Sequence, residues 1–322
     1  MLAVAVLVAV TFGSFALMAT KFSSQCTSPF TPAGVANPPL AGTVGQAATL
    51  YWRWLKGIPG GASFRAVCGG DPLQKVGPAF ARTGLLLTAT AILVLGFSLL
   101  LGTFAATRAG SPPDVLVRGF SYAAWAVPPF LLALVLQSAF RWSGLHWFEL
   151  SGWPGQCFAF TQGCSSPHGV HYVVEIVRHL VLPAVALSVA FIGLHSRYLR
   201  SSLLVALNAP YTTTARAKGL PERRVVVVHA LRNSLATFLN ALLLDLGAIF
   251  GAALAVDWVF GLNGVGSLLV TDLAGVGGGD GPRYLDPYAI ETLLGTAALV
   301  VLLASVVAEL AVASLDPRAR LT

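Results

Sequence analysis

The sequence predicts an all-α polytopic membrane protein with six transmembrane helices and both termini on the cytoplasmic side. Three observations predict it. Hydrophobic residues make up 56% of the 322, charged residues only 10%, and the apolar residues fall in long runs separated by short basic stretches. A soluble domain carries roughly 25% charged residues, so a water-soluble fold cannot hide this much apolar surface. The formal charge of +7 does not point to nucleic acid, because the basic residues sit between apolar runs rather than along one polar face.

A helix needs about 20 mostly apolar residues to cross a hydrocarbon core roughly 30 Å thick. Six runs pass. The first is Met1 to Thr20, the second the uncharged stretch between Arg82 and Arg108, and the third lies between Arg118 and Arg141. The fourth runs from about Leu180 to Ser196, the fifth from Ser234 to about Val256, and the sixth from Glu291 to about Ser314. Lipid offers the backbone no hydrogen-bond partner, so each run is expected to be helical. The competing reading of Met1 to Thr20 is a cleaved signal peptide, which would leave five spans. The run is long for an h-region, and no charged n-region precedes it.

Lys and Arg mark the cytoplasmic side of short loops. The segment joining the fourth and fifth runs holds Arg197, Arg200, Arg216, Lys218, Arg223, Arg224 and Arg232 against one acid, Glu222, and is therefore placed inside. Six spans then put both termini inside, in agreement with Arg108 and Arg118 in one short loop and Arg318 and Arg320 in the tail. The N-terminus gives this orientation no support, because no basic residue precedes the first run, an absence that a shortened start would explain. The chain is thus divided into an N-terminal transmembrane helix over 1–20, an extracytoplasmic segment over 21–82, a five-helix core over 83–314 with a cytoplasmic loop at 197–233, and a cytoplasmic tail over 315–322.

This topology places all four cysteines, Cys26, Cys68, Cys157 and Cys164, outside, which suits an oxidising compartment. Four cysteines allow three pairings, and Cys26 with Cys68 and Cys157 with Cys164 keep each pair within one loop. A metal site from Cys157, Cys164, His168 and His171 is the competing idea, but the spacing matches no zinc pattern, and no metal is expected.

No catalytic signature is present. A P-loop sets a Lys directly after Gly, and none of Lys21, Lys56, Lys75 and Lys218 follows one. The run from Gly275 to Gly281 reads as a flexible outer turn. Neither G-x-S-x-G nor H-E-x-x-H appears, so the chain is not expected to be an enzyme, and any ATP hydrolysis belongs to another chain.

The most informative segment runs from Tyr211 to Arg224 and on through His229-Ala-Leu-Arg-Asn233. It is polar, basic and rich in small residues. Thr212 to Lys218 fits a short helix, Gly219 its C-terminal stop, and Pro221 the start of a second helix. The bland reading is a solvated basic loop that holds orientation.

Thr214-Ala-Arg-Ala-Lys-Gly-Leu220, Arg223-Arg224 and His229 to Asn233 closely resemble the cytoplasmic coupling loop, the EAA loop, of ABC importer permeases of the dipeptide, oligopeptide and nickel class. Val259-Phe-Gly-Leu262 with Gly264-Val-Gly266, Leu315-Asp-Pro-Arg318 and Tyr51-Trp-Arg-Trp-Leu55 extend the resemblance over most of the chain, most strongly from about Thr83 to Arg320. Thr213 and Thr214 stand where the family's namesake Glu and first Ala fall. The proline usual shortly after the Arg-Asn pair is replaced near Ala236 and Thr237, so a softer helix break is expected there.

The resemblance implies the type I ABC importer permease fold in the cytoplasmic membrane of a prokaryote. It further implies a homologous second permease, two ABC ATPase subunits that bind ATP and Mg, and an extracytoplasmic substrate-binding protein that delivers peptides or a related small solute. The chain itself would bind no cofactor. Tyr211, Thr214, Ala215, Arg216, Ala217, Lys218, Gly219 and Leu220 would seat in a groove of an ATPase, with Arg216 and Lys218 facing acidic groups.

Asp245 lies mid-run, and an acid there is costly unless it faces a cavity or a partner. It is a candidate for the translocation pathway, with a peptide's amino terminus as one partner and a structural contact to the sister permease as the alternative. Glu309, nearer the inner end, reads as structural. Gly247, Gly251 and Ala252 offer a small-residue face for helix packing. The runner-up function is a secondary transporter or channel working without an ATPase, but few charges fall in the runs and no internal repeat is visible. An integral-membrane enzyme would need clustered His, Asp or Glu, and the six histidines are scattered.

Overall fold

The computed structural model describes residues 11–17, 42–57, 72–143, 148, 150–154, 169–274 and 287–315. Cys26, Cys68, Cys157, Cys164, His168, the glycine run at 275–281 and the tail beyond Leu315 lie outside them, as does the Glu309 side chain. Among the described residues every regular element is helical: 11–17, α1 (Val44–Gly57), α2 (Pro72–Thr107), α3 (Pro112–Ala126), α4 (Pro129–Ser143), α5 (Val170–Leu207), α6 (Pro210–Ala217), α7 (Glu222–Leu244), α8 (Leu246–Phe260), α9 (Val265–Ala274) and α10 (Pro287–Leu315).

Three of these are long and apolar enough to cross a membrane: Val76–Thr107, Val170–Leu207 and Glu222–Leu244. The number rises to five when α3 with α4, and α8 with the helix after it, each count as one broken span. The first expected span is described only over 11–17, and in the last the apolar helical stretch is Leu293–Val306.

The chain divides into two compact units, one of residues 1–82 and 263–300 and the other of 83–262 and 301–322. In the first, the Tyr51 hydroxyl lies 2.6 Å from that of Thr11, with Phe12 and Phe15 packed around the Tyr51 ring. Arg82 donates from Nη1 to the Asn263 carbonyl at 2.9 Å.

In the second unit α5 is the axis. From Leu180 to Ser196 nearly every residue is buried, because α3, α4, α7 and α8 all pack on it. Small residues set the closest approach: a Cβ on Gly193 would stand 2.7 Å from the Ser121 carbonyl oxygen and 3.0 Å from Ala124 Cβ. Crossings lined with small residues bring backbones together where lipid supplies no hydrophobic drive.

Two expectations need correction. The third run is not one straight span, because α3 and α4 meet at 95°. Val127 is extended (φ −92°, ψ 119°), as a residue before proline tends to be, and the paired prolines at 128 and 129 bring no N–H to continue the ladder. The fourth run does not stop at Ser196. α5 continues for 38 residues, so Arg197 and Arg200 ride on a helix rather than in a connecting loop. Leu199, Leu203, Ala206 and Leu207 repeat at helical spacing on its buried face and carry the helix onward.

Candidate functional site

The basic segment after α5 folds into a compact knob. Asn208 ends α5, Pro210 opens α6 at the position where a missing N–H costs nothing, and α6 lasts eight residues. Gly219 (φ 75°) stops it: its N–H donates to Arg216 O at 2.9 Å, and the Leu220 N–H reaches back to Ala215 O at 3.3 Å. This bond pair is the Schellman stop, which needs a left-handed residue that glycine supplies without strain. Leu262 to Asp257 and Gly261 to Trp258 make the same pair at the end of α8, with Gly261 at φ 60°.

The knob is pinned from beneath. Thr212 is fully buried, and its hydroxyl lies 2.7 Å from the carbonyl oxygens of both Ala206 and Ala209. Ala215 is buried, and Leu203, Ala206 and Leu207 of α5 meet Val226 and Ala230 of α7 in one apolar cluster with Ala106. Arg216 donates to Glu222 from Nε (3.1 Å) and Nη2 (2.8 Å) and to Leu207 O from Nη1 (3.1 Å). Hydrogen bonding to Glu222 raises the guanidinium above its already high ordinary value.

Arg216 is therefore an internal brace across the Gly219 turn, not a free cation. Among the described residues Lys218 forms no ion pair, and it is exposed together with Tyr211, Thr214, Ala217 and Gly219. Ala215, expected on the contact face, points inward. Thr212, the residue that seats the helix, was not singled out by the sequence. Its signal is a Thr at the third position after Ala209, where a hydroxyl caps an exposed carbonyl.

After one α-helical turn, Glu222–Arg224, α7 runs through a seven-residue π-helical stretch, Val225–Leu231. Such wide turns are rare and recur at functional sites. The helix then passes Ala236 and Thr237 without interruption. The break falls instead at Asp245, which joins α7 to α8.

Asp245 does not stand alone. Its Oδ2 lies 3.4 Å from Nε2 of His195, a fully buried residue of α5 ringed by Phe191, Tyr198 and Phe238. Asn233, Thr237 and Ala241 of α7, and Asp245 just past its end, recur every fourth residue. The first three line an open groove of about 490 Å³ between α5 and α7, together with Tyr198, Ser201 and Ser202, and Tyr211 of the knob lies at its other end. Another acid, the fully buried Asp114 of α3, takes Nε and Nη2 of Arg200 at 2.6 and 2.7 Å and the Gly110 N–H at 3.0 Å.

Residues 98–321, more than two thirds of the chain and including the knob, match the family described as binding-protein-dependent transport system inner membrane component. The chain belongs to this family of inner membrane components. The oligopeptide transport system permease protein AppB of Bacillus subtilis is 29% identical over 270 residues, 83% of this chain and 79% of that protein. The di/tripeptide transport system permease protein DppB of Pseudomonas aeruginosa is 35% identical over 193 residues, 57% of each. The oligopeptide transport system permease protein OppB of Escherichia coli is 31% identical over 177, 55% of this chain and 51% of that one. As an inner membrane component, this permease uses its helices to form the membrane part of an importer.

Proposed function

We propose that this permease carries peptides or a related small solute inward, and that the knob from Tyr211 to Leu220 is where it receives the work of ATP hydrolysis. Two ATPase subunits with their ATP and Mg lie on the cytoplasmic side. A homologous second permease completes the pathway, and an extracytoplasmic binding protein loads it. The observation that carries this is the construction of α6: Thr212 and Ala215 buried underneath, Tyr211 and Lys218 exposed, and a glycine-dependent stop holding the two faces in place. A helix seated this way transmits force as a rigid body to α5 and α7, whose ends form its base. Closure of the ATPases around ATP can shift the spans because ATP binds one arrangement better than the other. Asp245, at the join of α7 and α8, faces the solute path in this reading.

The test is co-expression with the ATPase, second permease and binding protein of its transport system, followed by purification through a tag on this chain. Gly219→Asn keeps a residue that tolerates the left-handed conformation, whereas Gly219→Val adds strain of about 1–2 kcal/mol at the turn. Wild type and Gly219→Asn are expected to retain the ATPase and its solute-stimulated hydrolysis, and Gly219→Val to lose stimulation. Wild type that retains no ATPase would overturn the proposal and return attention to a transporter working alone.

A further inference from the structure

The His195–Asp245 contact has a feature that packing alone does not explain. Nδ1 of His195 lies 2.9 Å from the carbonyl oxygen of Phe191, which only accepts, so Nδ1 carries a hydrogen. Nε2 is fully buried without a hydrogen-bond partner, and Oδ2 of the Asp245 carboxylate lies 3.4 Å away, at ion-pair distance. A neutral imidazole would then set a lone pair against a carboxylate oxygen. The contact is favourable only when one further proton resides between the two groups.

We propose that His195 and Asp245 form a one-proton site, and that the protonated amine of a solute in the adjoining groove exchanges with that proton. The proposal rests on the reading of the chain as a permease. With the proton in place, Nδ1–H donates to Phe191 O, the imidazolium pairs with the Asp245 carboxylate across 3.4 Å, and the pair is neutral overall. Loss of the Nε2 proton to groove water leaves the pair with one negative charge at membrane depth, which is costly. An ammonium group restores neutrality and supplies a donor to Oδ2, and no bond in the solute forms or breaks.

Access is one-sided. His195 is fully enclosed, whereas the Asp245 side chain is 28% exposed and stands one turn beyond Ala241, a residue that lines the groove. Among the described residues no other charge contacts the pair. Tyr198 of α5 lies against the His195 ring edge-on, with centroids 5.9 Å apart. On α3, Asp114 holds Arg200 and Arg118, and Tyr122 lies under Arg197. α4 carries Arg141 in its last turn, and Asp257 of α8 is roughly 18 Å further along the helix axis. α7 carries its own cation, Arg232, more than three turns before Asp245. Proton and amine therefore compete for one carboxylate, and each weakens the other by the same factor.

The test uses Ala241→Cys in the full chain, purified in lipid nanodiscs. The thiol is modified between pH 6 and 8 by a permanently cationic trimethylammonium thiosulfonate and by neutral methyl methanethiosulfonate, and followed by mass spectrometry of the peptide that contains residue 241. The ratio of the two rates cancels the thiol's own ionisation and reports the potential beside Asp245. The ratio is expected to rise about fivefold or more from pH 6 to 8, to be low and flat in Asp245→Asn, and high and flat in His195→Gln. Propylammonium, but not propanol, is expected to slow the neutral reagent, more strongly at pH 8. A ratio equal in wild type and Asp245→Asn overturns the proposal. Should that variant not fold, a flat profile in wild type does so equally, as does a residue 241 that neither reagent reaches. The assay needs no ATPase, so a failed coupling experiment and a failed exchange site remain distinct results.

Discussion

Arg200 of α5 grips the buried carboxylate of Asp114 on α3 with two parallel hydrogen bonds of 2.6 and 2.7 Å. The planar fork of Arg matches a carboxylate, and the Gly110 N–H satisfies Oδ2 further. Removing one partner strands the other. Arg200→Ala is expected to cost about 3–5 kcal/mol, the usual penalty for an uncompensated buried charge. Thermal unfolding of the purified permease reads this, and Asp114→Asn added to Arg200→Ala should recover much of the loss. Equal melting of wild type and Arg200→Ala would show that the pair contributes nothing to stability.

Gly193 and Gly247 are predicted to respond oppositely to the same change. Gly193→Ala puts a Cβ 2.7 Å from the Ser121 carbonyl oxygen, so the α3–α5 crossing must open, at about 1–3 kcal/mol. Gly247 has nothing within 4 Å of an added Cβ, and Gly247→Ala is expected to stabilise the isolated chain by up to about 1 kcal/mol through helix propensity. If the second permease packs on α8 there, Gly247→Leu lowers co-purification of that subunit without lowering the melting temperature of this one.

Thr212→Val removes the hydroxyl that lies on the Ala206 and Ala209 carbonyls while keeping the side-chain shape. The expected cost is about 1–3 kcal/mol, confined to the knob. Hydrogen exchange should quicken over residues 209–220 and remain unchanged in α3. Uniform exchange across both regions would contradict a local seat.

The brace from Arg216 to Glu222 and the exposed Lys218 separate by charge reversal. Arg216→Glu and Glu222→Arg should each weaken solute-stimulated ATP hydrolysis, and the double swap should restore it. Lys218→Glu should weaken retention of the ATPase and gain nothing from Glu222→Arg. Rescue of Lys218→Glu by that substitution would assign the bracing role to Lys218 instead.

Much of this was legible in the sequence because it is local. Gly219 after a short polar helix, and apolar runs bounded by arginines, encode their structures within a few residues. The bend at Val127 was missed although Pro128 and Pro129 announce it, because hydropathy averages over the break. The partners of Asp114 and Asp245 were invisible for a different reason: Arg200 lies 86 positions from its acid and His195 lies 50 from its own, and such contacts are fixed by helix packing rather than by spacing. Arg216 looked like a free cation because only folding turns Glu222 toward it across Gly219.

The 38 residues of α5 form a beam roughly 57 Å long, welded near its middle to α3 at Gly193 and carrying the knob at one end. A beam that pivots at a fixed point trades angle for distance. With roughly 20 Å of helix between Gly193 and Leu207, a tilt of about 10° moves the end that carries α6 by only about 3–4 Å, and the longer opposite arm by about 6 Å. In the coupling reading proposed above, a modest push on the knob would emerge amplified on the far side of the weld, in the direction opposite to the push.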